Sequence, residues 1–409
     1  MKEFIPDTAT LANGLRIIRV PSATDVVYCG YAIDAGTRDE GPDEHGLAHF
    51  VEHMLFKGTV RRRAYHILNR MENVGGDLNA YTNKEETVVY STFLKKDFAR
   101  ALELLTDIVF HSTFPEHERE KEVEVILEEI DSYRDTPSEL IFDEFEDILF
   151  RHHPLGHDIL GTPAQLRRFR SADGLRFTQR YYHPANAVLF VQGNVPMTRI
   201  VQMAERLTAD LLPGTAVAGR QQPLPAPAEA VARHRRTHQA HVVMGCASYA
   251  AGDPRRMALH LLNNLLGGPG MNSRLNLALR ERTGLVYSVE SNVTTYTDTG
   301  VFTIYFGCDL ADAERCMALT QQELDRLCQT PLTPRQLAAA RKQLLGQTGV
   351  ADDNFENSAL AMARTFLHGR MPLTTAELTR RLEALTPKDL QEVAQDLFQQ
   401  GNITSLRYC

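Results

Sequence analysis

Apolar and polar positions along the chain follow two periods, and the two alternate. "VVYCGYAIDAG" and "AHVVMGCASYA" are short runs rich in β-branched and apolar residues and read as strands. "GGDLNAYTNKEETVVYSTFLK" and "VYSVESNVTTYTDTGVFTIYFGC" each read as a strand pair. Apolar residues recur at helical spacing in "GLAHFVEHMLF", "AYHILNRMENVG" and "FARALELLTDIVF". They do so again in "RRMALHLLNNLLG", "SRLNLALRERTG" and "DAERCMALTQQELDRL". Both halves therefore run strand, two helices, strand pair, helix. The pattern predicts an α+β fold of two similar αβ domains related by duplication, since the period is too long for a solenoid. Between them lies "LLPGTAVAGRQQPLPAPAEA", rich in Pro, Ala and Gly, which reads as a linker. The expected division is residues 1–212, a linker at 213–230, and residues 231–409.

Composition narrows the class. The 409 residues suit more than one domain, with 43% hydrophobic and 23% charged residues, enough for a sizeable core. A net charge of −8 argues against a nucleic-acid partner, because phosphate contacts need a basic surface. The start "MKEFIPDTATLANGLRIIRV" has no signal-peptide core, and no run reaches the roughly 18 apolar residues of a membrane span. Cys29, Cys246, Cys308, Cys316, Cys328 and Cys409 are scattered, with no CxxC pair, and read as reduced thiols. The expectation is a cytoplasmic protein without a membrane partner.

One stretch asks for chemistry. "HGLAHFVEHMLF" sets His45, His49, Glu52 and His53 in an apolar run. Wound at about 100° per residue, Leu47, Phe50, Val51 and Met54 share the core arc, and the polar groups and Phe56 fall on the other side. His49 and His53 are i, i+4, so their imidazoles can reach one ion. Glu52 shares their face and can act as a general base on metal-activated water. HxxEH is the inverted form of the HExxH metalloprotease pattern. A catalytic zinc takes three protein ligands and leaves one position open. His45, at the helix start beside Gly46, is the weaker candidate for the third. The acidic helix "EREKEVEVILEEIDSY" is the better place to look. There Val123, Ile126, Leu127 and Ile130 form the apolar arc. Glu122 and Glu129 lie together at its edge, and Glu124 and Glu128 point to water. Either edge glutamate can be the ligand.

"HFVEH" followed by "EKEVEVILEEI" resembles the inverted-zincin peptidases of the pitrilysin, insulin-degrading and mitochondrial-processing-peptidase family, M16. "AHFVEHMLFKGT" is closest to the processing-peptidase branch, and the resemblance runs through both halves. It implies one Zn2+ per chain on His49, His53 and Glu129, Glu52 as catalytic base, and Glu122 as a supporting carboxylate. It implies a mostly antiparallel sheet flanked by helices in each domain, the chain forming one half of a clamshell.

The resemblance also assigns substrate groups. "GGDLNAYTNKEET" reads as a strand that can take an extended peptide at a sheet edge. Asn79 and Ala80 match the positions that hold the substrate backbone, and Phe56 the position that receives the side chain after the cleaved bond. Glu139 and Asp143 are i, i+4 carboxylates that suit an arginine, and they match processing-peptidase positions that hold one before the cleavage site. In "GGPGMNSRLNLALRERTGLVYSV", Arg280 and Tyr287 match the family's pair that orients substrate and holds the oxyanion. "RHHPLGHD" is broken by Pro154 and Gly156 and resembles a structural loop. "GGPG" lacks the Lys-Ser/Thr of a phosphate loop.

The implied activity is zinc-dependent endopeptidase cleavage of short or unfolded peptides inside a chamber, with a preference for basic, arginine-containing ones. The implied partner is a second copy in a C₂ homodimer, where the Arg–Tyr pair of one protomer faces the zinc of the other. The alternative is a non-catalytic peptide-binding or structural subunit. Such relatives typically lose a zinc ligand or the base, and this chain keeps both.

Overall fold

The computed structural model describes residues 5–214, 219–235 and 237–409. The chain begins with strands β1 (Asp7–Thr10), β2 (Arg16–Val20) and β3 (Val26–Ile33), then helices α1 (Leu47–Leu55) and α2 (Ala64–Glu72). The hairpin β4 (Asn79–Thr82) and β5 (Thr87–Leu94) follows, then α3 (Phe98–Phe110), α4 (Glu116–Arg134) and α5 (Pro137–Leu149). Next come α6 (Pro163–Leu166), α7 (Ser171–Tyr181), β6 (Ala187–Gln192) and α8 (Met197–Leu207). The later elements are β7 (Ala230–Arg233), β8 (Ala240–Ser248), α9 (Arg256–Gly267), a π-helical turn (Asn276–Glu281), β9 (Val286–Thr295) and β10 (Gly300–Cys308). The chain closes with α10 (Ala313–Gln329), α11 (Pro334–Ala351), α12 (Phe355–Leu367), α13 (Thr375–Ala384), α14 (Pro387–Leu397) and β11 (Thr404–Tyr408).

The first sheet has the order β1-β2-β6-β3-β5-β4, the second β7-β11-β8-β10-β9. Each is mainly antiparallel, with one parallel pair, β2·β6 in the first and β7·β11 in the second. β3, β5 and β6 are buried along almost their whole length, because helices cover both faces of the first sheet. On one face Val27, Cys29, Tyr31 and Ile33 meet α1, α3 and α4. On the other, Ala32, Val88 and Phe190 meet Ala359, Met362, Ala363 and Leu367 of α12. In the second sheet Val242, Met244 and Phe302 pack with α9, α10 and α14, while Val243, Val301 and Leu406 pack with Ile141, Phe145 and Ile148 of α5.

The two compact units are discontinuous in sequence. The first holds residues up to Asp131, with His157–Arg220 and Ala351–Thr374; the second holds Ser132–Gly156, Gln221–Val350 and Thr375–Cys409. The expected single cut at 213–230 therefore gives way to an exchange of helices. α5, from the first half of the chain, covers β8 and β11, and α12, from the second half, covers β2, β3 and β6. Helical periodicity shows that α5 and α12 carry an apolar stripe, and does not show which sheet receives it. Residues 215–218 of the expected linker lie outside the described residues. No helix among the described residues is long and apolar enough to cross a membrane.

Candidate metal centre

α1 enters on Gly46, whose φ of 91° lies in the left-handed region. A Cβ there would stand 2.7 Å from the Leu160 carbonyl oxygen, so the turn excludes a side chain as well. The first N–H groups of a helix lack intrahelical partners. Here the buried Glu40 carboxylate accepts from Gly46 N at 3.0 Å and Ala48 N at 2.7 Å. His157 Nε2 lies 2.9 Å from the same carboxylate, and its ring stacks on His45 at 4.1 Å. Burial raises Glu40 well above the usual carboxylate range, against the pull of those N–H groups. His45 thus lies ahead of α1 and stacks on His157.

The apolar stripe of α1 is buried as its periodicity requires: Leu47, Phe50, Val51 and Met54 are fully inside. That seating presents His49 and His53 side by side, with ring centroids 4.7 Å apart. α4 lies opposite, burying Val123, Ile126, Leu127 and Ile130 and leaving Glu124 and Glu128 exposed. Glu129 reaches both rings, 3.7 Å from His49 Nε2 and 3.4 Å from His53 Nε2. His49, His53 and Glu129 each offer one ligand atom, all within 4.8 Å of one another. Of the two edge glutamates, Glu129 therefore meets both Nε2 atoms. Glu122 takes the other side of His53, with Oε2 3.0 Å from Nδ1. An ionised carboxylate only accepts, so Nδ1 carries a proton, and an ion that displaces the second ring proton would bind at Nε2. Lys57 Nζ is 2.5 Å from the remaining oxygen of Glu122.

The charges explain the donor set. Burial opposes a charge on His53, yet the hydrogen bonds to Glu122 and Glu129 prevail and carry it up to about 9. Burial pulls His49 down to about 4, helped by the charge on His53. Burial also works against Glu122, but His53 and Lys57 hold its carboxyl below the ordinary value. The hydrogen bond from His53 lowers Glu129 as well. The pocket thus draws a positive charge onto itself; a dication meets that demand, and two neutral imidazoles with one carboxylate suit zinc.

Glu52 sits beside this cluster. Its Oε2 is buried and has no hydrogen-bond partner among the described residues. Burial raises its pKa, against the pull of Thr82 and His53. Thr82 closes β4, and β4 is a sheet edge with β5 as its single neighbour. Asn79 is exposed and Ala80 half-buried on that edge. Phe56 ends α1 and packs partly against the first core.

The remaining expected groups lie in the second unit. Arg280 is on the π-helical turn with its guanidinium 5.8 Å from the Tyr287 ring, and Tyr287 is 85% exposed. Glu139 is exposed on α5, and Asp143 accepts from the Tyr133 hydroxyl at 2.5 Å. Lys57, Thr82 and Glu40 were not among the expected site residues. Lys57 stands four residues after His53, the spacing that places it near the same α4 carboxylate.

An HxxEH helix facing an acidic helix, with two imidazoles and a glutamate converging, is the donor arrangement of inverted zinc peptidases. Comparison with known proteins agrees with that class. Residues 17–163 match the model described as Insulinase (Peptidase family M16), and residues 170–344 match the Peptidase M16 inactive domain. A Bacillus subtilis protein, described as the uncharacterized zinc protease YmxG, is 33% identical over 95% of both chains. The human mitochondrial-processing peptidase subunit beta is 31% identical over 95% of this chain and 82% of its own length. A solved protease from Helicobacter pylori shares the fold, with a TM-score of 0.89 at 22% identity over 99% of this chain and 100% of that one. The chain belongs to peptidase family M16.

Proposed function

We propose that this chain is a zinc-dependent endopeptidase of short or unfolded peptides. The observation that carries the reading is the convergence of His49, His53 and Glu129 beside the unbonded, buried oxygen of Glu52. His49, His53 and Glu129 would hold a zinc ion, which would supply Lewis-acid chemistry toward a carbonyl and a water. Glu52 takes the proton of the attacking water and returns it to the leaving amine. Its raised pKa makes the carboxylate a stronger base. Glu122, steadied by Lys57, fixes the tautomer and angle of His53.

The edge strand β4 receives the scissile segment as an added strand through the main chain of Asn79 and Ala80, with Phe56 lining the pocket beyond the cleaved bond. Glu139 and Asp143 give a preference for arginine-containing peptides. Arg280 and Tyr287 orient the substrate and steady the oxyanion, a donor so placed contributing about 2.7–4 kcal/mol. In this reading they come from the partner copy of a C₂ homodimer that encloses the peptide.

The test is cleavage of a quenched, arginine-containing peptide by the purified chain, by the chain after chelation, and after zinc is returned. Cleavage is expected to disappear on chelation and to return with zinc. Cleavage indifferent to chelation would overturn the zinc chemistry. A zinc-loaded chain that cleaves nothing across a peptide library would be a non-catalytic subunit.

A further inference from the structure

The turn between β4 and β5 is built unlike most hairpin tips, which are solvated. Lys84, Glu85 and Glu86 are consecutive charged residues exposed by only 4%, 3% and 4%. Each meets groups from elsewhere in the first unit. Lys84 Nζ donates to the His157 carbonyl at 2.5 Å. Arg38 donates to Glu85 Oε1 at 2.6 Å, and Arg220 to the Glu85 carbonyl at 2.7 Å. Glu86 Oε1 takes Arg364 Nε at 2.7 Å and Asn83 Nδ2 at 2.9 Å, and its Oε2 lies 3.4 Å from His368 Nε2. Higher on β5, the Tyr90 hydroxyl donates to Glu356 at 2.8 Å. Glu356, Arg364 and His368 belong to α12 or its C-cap.

Glu86 is buried while the Arg364 side chain is 50% exposed; desolvation offsets most of what a buried charge gains, and a partly exposed pair adds little to stability. α12 already has an apolar seat on the sheet through Ala359, Met362, Ala363 and Leu367. What the charges add is a fixed position for a four-residue strand with a neighbour on one side only. The faces of that strand are divided. Tyr81 pairs with Val88 and packs with the α12 cluster. Thr82 pairs with Thr87 beside Glu52. A shift of the turn would move the peptide-receiving edge against the base.

We propose that Glu86 and Arg364 are positioning residues: by pinning the β4–β5 turn to α12 they hold the edge strand in register to receive the substrate backbone. The proposal rests on the reading that β4 takes the peptide. The test compares zinc-loaded wild type with Arg364→Ala, Arg364→Lys and the isosteric Glu86→Gln, by peptide kinetics and by amide exchange across residues 79–94. Losing one charge-assisted contact is expected to raise KM about tenfold, with kcat within about twofold. Zinc content is expected to stay at the wild-type level. Exchange over β4 is expected to speed up, and Arg364→Lys to recover most of the loss. A folded, zinc-loaded Glu86→Gln with wild-type KM and wild-type exchange would overturn the proposal. So would a fall in kcat at constant KM, which would place the effect on the metal site. If the wild type cleaves nothing, the peptidase reading fails, and the exchange rates alone decide whether the pins hold the strand. If exchange responds while KM does not, the edge strand is held but does not bind the peptide.

Discussion

The strand order β2-β6-β3-β5-β4 of the first unit repeats in the second as β7-β11-β8-β10-β9, and α1 follows β3 as α9 follows β8. Along α1 the sequence reads HFVEHMLF; along α9 it reads HLLNNLLG. His260 keeps the register of His49, but Asn263 and Asn264 stand for Glu52 and His53. α4 and α11 begin at the same spacing before α5 and α12, which puts Gln347 at the register of Glu129 and Ala340 at that of Glu122. The apolar seats match, while the charges are gone. In the first unit two carboxylates draw His53 up to about 9. In the second, burial and Arg256 push His260 down to about 4, and Asn263 Oδ1 and Gln347 Oε1 are buried without hydrogen-bond partners. The fold supplies a helix face in both units; a handful of side chains decides whether that face draws a cation.

The comparison can be broken most sharply at the base. Glu52→Gln gives the first unit an amide like that of the second and is expected to lower kcat about 10³-fold with zinc retained. Parallel kinetics and metal analysis check this, and near-normal turnover would remove Glu52 from the chemistry. Next in size is the entry of α1. Gly46→Ala forces a side chain into a positive-φ turn against the Leu160 carbonyl and is expected to cost about 1–3 kcal/mol of stability, read by denaturant melts. Lys57→Met leaves the ligands intact but frees one oxygen of Glu122. Zinc is expected to bind about tenfold more weakly in a competition titration with a chromogenic chelator.

The smallest effect concerns the exchanged helices. α5 is held by Glu144, which pairs with Arg233 at 2.5 Å and with Arg235, and by Glu146, which accepts from Tyr296 at 2.9 Å. α12 is held through Glu86. Burial opposes the charge on Glu86, yet His368 and Arg364 hold its carboxyl below the ordinary 4.5. A carboxyl depressed in the fold contributes stability that is whole above the unfolded value and is lost as pH falls below it and through the lower folded value. The gap in melting temperature between wild type and Glu86→Gln is therefore expected to narrow as pH drops from about 7 to about 4. A gap that widens on acidification would contradict the pairing.

Much of this was legible in sequence. The stripe of "FARALELLTDIVF" matches α3 residue for residue, and the α4 wheel put Glu122 and Glu129 on one edge. Periodicity reports faces, so it grouped His49 with His53 and Glu122 with Glu129, but it passed over Lys57. It could not reach Glu40 and His157, which meet across 117 positions of sequence; "RHHPLGHD" read as a loop because Pro154 and Gly156 break it. Nor could it show that α5 and α12 are exchanged, because an apolar stripe does not name its partner. The buried charges at 84–86 are concealed most deeply, since a run such as "NKEET" ordinarily marks a solvated turn.

The most direct measurement is the zinc bound per chain in wild type, Glu129→Gln and His260→Asn, each checked for its fold by circular dichroism. The account predicts one zinc in wild type and in His260→Asn, and none in Glu129→Gln. Zinc retained by Glu129→Gln, or lost by His260→Asn, would contradict the claim that the metal chemistry belongs to the first unit alone.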